Sequence, residues 1–128
     1  MKRKIIVIAF VFVGIFTIVP QSCENNNEFD LYGDCYKLGY DTINISWNKN
    51  ISVILKDKCV KCHGEELSYN EVRHDSYASE LMVINDGRLR RVINDHDPST
   101  RMPKNEQQLD SCKLKLINKW LDIGAPEN

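Results

Sequence analysis

The chain has 128 residues, which suits one small domain, and its formal charge at pH 7 is −1, with 17 Lys and Arg against 18 Asp and Glu. Nothing in that balance supplies the basic surface that nucleic-acid binding requires, and three of the 17 cations lie within the first four residues, MKRK. The five cysteines, Cys23, Cys35, Cys59, Cys62 and Cys112, then constrain the setting more tightly than the composition does.

From Ile5 to Val19 the chain is apolar except for Gly14 and Thr17, and the sequence PQSC follows. A basic start, an apolar run of this length and a small residue before a cleavage point predict an export signal over residues 1–22. A transmembrane anchor is the alternative, but the run falls short of the ~20 apolar residues that span a bilayer. Ser22-Cys23 at the end of the run resembles the lipobox of bacterial lipoproteins, although Pro20 stands where a leucine is usual. The resemblance implies acylation of Cys23, a membrane anchor through that lipid, and a mature chain facing the periplasm or cell surface. Cleavage before Cys23 removes three cations and no anion, leaving a net charge of −4.

Residues 23–45 are rich in Asn, Asp, Gly and Tyr without a clear period, and read as a tether and N-terminal extension in loop conformation. The folded domain is expected over 46–128. Trp47, Ile51, Ile54, Leu55 and Cys59 form one helical stripe, with Ser46 or Asn48 as its cap. Shorter signals follow: a helix in SYASELMVIN with Tyr77, Leu81 and Ile84 on one face and Met82 explained by helix packing, a break at Asp86-Gly87, and another turn or two in RLRRVIN. DHDPSTRMPKNEQQ, with two prolines and few apolar residues, reads as a loop. Cys112, Leu116, Ile117, Trp120 and Leu121 trace a second strong stripe, with Asp110 as N-cap, Gly124 as stop and Pro126 just beyond. With no alternating strand and no repeat, the predicted fold class is all-α.

The chemistry concentrates in KDKCVKCHGE, residues 56–65. A structural zinc site usually needs four protein ligands, and adjacent Cys62 and His63 are badly placed to share one tetrahedron. A redox dithiol of the thioredoxin kind would follow a strand, and no strand is expected here. C-x-x-C-H is instead the attachment signature of haem c: Cys59 and Cys62 add as thioethers to the two vinyl groups, and His63 gives the proximal iron ligand. Met102, between Arg101 and Pro103 in a polar loop, is the candidate distal ligand, since core packing explains a methionine poorly there. His96 is the alternative distal ligand, and its flanking aspartates suit a solvated loop better. Outside the cytoplasm uncommitted thiols oxidise. Cys35 and Cys112 have no other task and are expected to form a disulfide.

Residues 47–128 resemble small class I cytochromes c, in particular the lipoprotein or fused cytochrome domains of Bacteroidetes-type bacteria. The resemblance is carried by CVKCH, LRRVINDHDPSTRMPK and LINKWLDIGAPEN, in that order. It implies a cytochrome c fold in which the N- and C-terminal helices cross over one covalently bound haem, with short helices and a methionine-bearing loop between them. It also implies Trp120 at the aromatic position of the last helix. The implied role is an electron carrier and not an enzyme, working with redox proteins of the cell envelope. A haem-based sensor or catalyst with a displaceable Met102, and a structural haem-stabilised module, are the alternatives. Two departures are visible. No proline lies between His63 and Pro98 to offer its carbonyl to the proximal imidazole, and His74 stands where an apolar residue is common. His74 is expected to be a surface or hydrogen-bonded histidine.

Overall fold

The computed structural model describes residues 28–128. The expected export signal and Cys23 lie outside that range. Within it the chain is a small all-α domain with five short α-helices and no strand among the described residues: α1 Glu28–Lys37, α2 Ser52–Lys58, α3 Tyr77–Asn85, α4 Arg88–Ile93 and α5 Ser111–Asp122. No helix among the described residues is long and apolar enough to cross a membrane.

The first strong stripe builds the centre of the core. Ser46 caps it, accepting a hydrogen bond from the Lys49 amide at 3.2 Å, while Asn48 is exposed and has no capping role. The opening turn, Trp47–Ile51, is wound as a π-helix, with Ile51 N–H reaching back five residues to the Ser46 carbonyl. It runs directly into α2. Trp47, Ile51, Ile54 and Leu55 are buried, and the stripe ends at Cys59, half-buried, where the helix stops.

The second stripe forms α5. Asp110 caps it through a 2.9 Å bond from the Lys113 amide, and Cys112, Leu116, Ile117 and Trp120 are buried. Beyond the helix Gly124 takes φ +90°, a conformation that costs a glycine little and other residues more. The chain therefore turns back, so that Ala125 N–H donates to the Trp120 carbonyl and Trp120 Nε1–H donates to Pro126 O at 3.0 Å. Trp120 packs against Trp47 with ring centroids 5.7 Å apart, and Tyr77 meets Trp47 edge-on at 5.4 Å while its hydroxyl donates to Ala125 O. Three aromatic rings and the C-terminal turn thus join the π-helical turn, α3 and α5.

Two elements differ from the sequence expectation. Residues 28–37 form α1 where a loop was expected, while the expected disulfide between Cys35 and Cys112 is present and joins α1 to the first turn of α5, with both cysteines buried. Local propensity does not announce this helix, which contains Gly33; tertiary attachment supplies what propensity lacks. A cross-link closing so long a loop stabilises by roughly 4 kcal/mol in the chain-entropy picture, less wherever the unfolded chain is already constrained. In α3 the buried face is rotated. Ser79, Glu80 and Val83 are buried, Tyr77, Leu81 and Ile84 are half-buried, and Met82 is 63% exposed, so helix packing does not explain Met82.

Candidate haem-attachment site

The C-x-x-C-H segment begins where α2 ends. Cys59 and Val60 amides both donate to the Leu55 carbonyl, and the Cys62 and His63 amides both donate to the Cys59 carbonyl at 3.1 and 2.9 Å. These bonds wind residues 59–63 into one compact turn, which brings the two thiols and the imidazole onto a single knuckle of chain. Gly64 is required to leave it: a Cβ there would stand 2.7 Å from the Val60 carbonyl oxygen. No side chain fits at that position without moving backbone.

The chain then folds back beneath His63. Gly64 N–H donates to Leu67 O, Tyr69 N–H to Cys62 O and His74 N–H to His63 O at 2.8 Å. Asn70 and Glu71 both take positive φ, 56° and 59°, in the short 3₁₀ turn Tyr69–Glu71 that reverses the chain. Asn tolerates that region and Glu does so less readily.

Cys59 and Cys62 are free thiols in different surroundings. Cys62 is exposed. Burial pushes the Cys59 thiol up to about 12, with the carboxylates of Glu80 and Asp57 adding to the shift. At pH 8 a thiol of that pKa is about 0.01% thiolate, and only the thiolate is a good nucleophile. Iodoacetamide added to haem-free, unreduced protein at pH 8 should therefore alkylate Cys62 at least about 100-fold faster than Cys59, as read by peptide mass mapping. Equal rates at the two positions would contradict this environment.

His63 is half-buried, and its Nδ1 is buried without a hydrogen-bond partner. Burial lowers its pKa, the neighbouring His74 lowers it further, and the carbonyls of Val72 and Tyr69 act in the opposite direction. The net direction favours the neutral imidazole that an iron ligand must be.

Met102 is half-buried in the loop between α4 and α5. The loop is tied down along its length. Asp95 accepts from the Asp97 amide and from the Thr100 hydroxyl, Asp97 accepts from the Ser99 amide, and Met102 N–H donates to Val92 O at 3.0 Å. Gln108 Nε2 donates to the Ile93 carbonyl at 3.3 Å. The Met102–Pro103 peptide is cis. His96 is exposed in the same loop.

The residues present fit a covalently attached haem. Two thiols outside any disulfide share a turn with an imidazole, and a thioether stands on a separate, anchored loop. They do not fit zinc: among the described residues no three His, Cys, Asp or Glu side chains gather to hold a metal ion. The strand that a thioredoxin-like dithiol would follow is absent among the described residues. A surface depression of about 390 Å³ lined by Ile84, Gly87, Arg90, Arg91 and Leu121 includes none of the motif residues. Its Arg90 is already engaged with Asp122 and the Asn118 carbonyl.

One residue of the site escaped the sequence reading. Glu80 is wholly buried and lies 2.5 Å from His74, which is thus the hydrogen-bonded histidine of the two expected alternatives, buried and not at the surface. A signal was present: Glu80 is the sole charged residue in the nine-residue α3, set between Tyr77 and Val83 at helical spacing. Comparisons with protein-family models, curated proteins and solved structures return no match to this chain, so the case for its function stands on these residues.

Proposed function

We propose that this chain is a lipid-anchored, monohaem c-type cytochrome that carries single electrons in the cell envelope, with the cytochrome c fold over residues 46–128. One observation carries the proposal. With Cys35 and Cys112 joined, the two free cysteines among the described residues are Cys59 and Cys62, and they share one turn with His63 and its unpartnered buried Nδ1. Cys59 and Cys62 would hold the haem as thioethers, His63 would ligate the iron through its imidazole and Met102 through its sulfur. The group supplies, when bound, a reversible ferric–ferrous couple.

The chain's own residues do the rest. The Leu55 carbonyl fixes the start of the turn and Gly64 its exit, so Cys59, Cys62 and His63 are held in a set relation before attachment. The Asp95–Asp97–Thr100 bonds and the Val92 carbonyl hold Met102 in place. With His63 and Met102 both committed to the iron, no position would be left for oxygen or peroxide, which is why the reading is a carrier and not an enzyme. The partners would be redox proteins of the envelope, and Cys23 would carry the lipid anchor.

The test is covalent attachment. Full-length protein made in a haem-maturing host should retain haem through acid–acetone extraction and denaturing electrophoresis. The Cys59→Ala/Cys62→Ala double variant should retain none. Attached haem in the double variant would remove the basis of the proposal.

A further inference from the structure

Two buried side-chain polar atoms among the described residues have no hydrogen-bond partner: His63 Nδ1 and Glu80 Oε1. Both belong to neighbours of one residue, His74. Its Nδ1 lies 2.5 Å from Glu80 Oε2, its ring meets the His63 ring edge to face at 5.5 Å and 85°, and its amide donates to the His63 carbonyl at 2.8 Å. Glu80 has no exposed surface and His74 is 7% exposed. The three side chains form a continuous series from α3 to the C-x-x-C-H turn.

Packing alone gives no reason for this series. A buried carboxylate loses its hydration, and an apolar side chain of similar size in place of a buried ionic pair is often neutral or stabilising. What an apolar pair cannot do is fix the plane of an imidazole. A carboxylate bonded to one ring nitrogen of a histidine holds both its tautomer and its orientation. Here the histidine so held is His74, and its ring stands against one side of the His63 ring. Rotation of His63 about its Cβ–Cγ bond would drive its ring against His74, which cannot yield without breaking its bond to Glu80. The Ser76–Ser79 capping box at the start of α3 holds that helix in register one residue before Glu80.

We propose that Glu80 and His74 are a positioning pair that sets the plane of the proximal His63 imidazole; this rests on the cytochrome reading above. Glu80 is the fixed post, His74 the spacer and His63 the group positioned. Neither Glu80 nor His74 touches the iron.

The experiment uses full-length, haem-loaded protein and two signals that report the axial imidazole plane: the low-temperature electron paramagnetic resonance of the ferric protein, and the spread of its haem-methyl proton shifts. Circular dichroism follows the fold. Glu80→Gln, which keeps an oxygen acceptor and the same shape, should preserve a single wild-type low-spin signal. Glu80→Leu and His74→Leu should shift or split the largest g-value and change the order or spread of the methyl resonances. Should His74→Leu fail to accumulate, His74→Gln, which keeps a donor for Glu80 but has no ring, must give the same change. Wild-type g-values and methyl shifts in natively folded Glu80→Leu and in the His74 variant would overturn the positioning role and leave the cytochrome reading intact. Absence of attached haem from the wild-type protein would overturn both.

Discussion

Replacing Trp120 by alanine should bring the haem-free domain close to unfolding. Trp120 is fully buried, and truncating a core tryptophan to alanine typically costs about 3–5 kcal/mol in lost transfer energy and cavity formation. The loss here is not confined to volume. The indole N–H donates to Pro126 O, so the variant strips that carbonyl of its partner and frees the C-terminal turn that follows Gly124. Trp47 loses its ring neighbour at 5.7 Å, and it belongs to the π-helical turn that begins the helix leading to Cys59. Small domains have about 5–15 kcal/mol in total. A fall in thermal midpoint of roughly 15–30 °C is expected by circular dichroism, given about 4–8 °C per kcal/mol for domains of this size. Trp120→Phe, which keeps most of the ring area but not the donor, should recover more than half of it. A midpoint within about 5 °C of wild type for the alanine variant would mean that the two-tryptophan contact does not organise the core.

The residues around Trp120 also show why parts of this fold are legible in sequence and others are not. The stripes Trp47–Cys59 and Cys112–Leu121 are long, regular and end on clear caps, Ser46 and Asp110. For such helices the buried face follows from spacing alone, because a continuous apolar stripe has one direction in which to leave water. Four of the five positions in each stripe are buried. The nine-residue α3 breaks the rule. Its apolar side chains outnumber its buried places, and the face turned inward includes Ser79, which completes a capping box, and Glu80, which meets His74. A polar requirement decided the rotation of the helix, and hydrophobic periodicity does not encode polar requirements. The helix α1 was illegible for a different reason: its short sequence carries no firm period, and its attachment runs through Cys35 to a residue 77 positions away.

The same division holds at the site. The C-x-x-C-H turn is local in sequence, so Cys59, Cys62 and His63 can be named from ten consecutive positions. The contacts that shape it are local as well: the Leu55 and Cys59 carbonyls and the glycine that permits the exit. The pair that borders His63 is not. His74 and Glu80 come from a loop and a helix beyond the motif, and neither is a metal-ligand type in a recognisable spacing. Backbone groups of Val72 and Tyr69 counter the lowering of the His63 pKa, and a carbonyl has no sequence signature unless a proline supplies it.

Met102→Ala should abolish the distal half of the proposed centre. In the ferric protein a sulfur–iron bond gives a weak band near the red end of the visible spectrum, and the variant should lose it completely. The reduced variant should then bind carbon monoxide without denaturant, which the wild type should not do. The reduction potential should fall as well, because thioether ligation favours the ferrous state. The fold should survive, since Met102 is only half-buried and the loop bonds that hold it run through Asp95, Asp97, Thr100 and the Met102 backbone, none of which the substitution removes. That separation between ligand and scaffold makes the outcome interpretable. An unchanged spectrum in a folded, haem-loaded variant would move the distal role to another side chain, and His96→Ala is then the deciding comparison: His96 is exposed six residues before Met102 and on the same loop. If instead the wild type already binds carbon monoxide, the methionine is displaceable and the protein is a ligand-binding haem protein, not an electron carrier. The double variant Met102→Ala/His96→Ala closes the argument, because a folded protein that still keeps carbon monoxide out would need a distal ligand from neither residue.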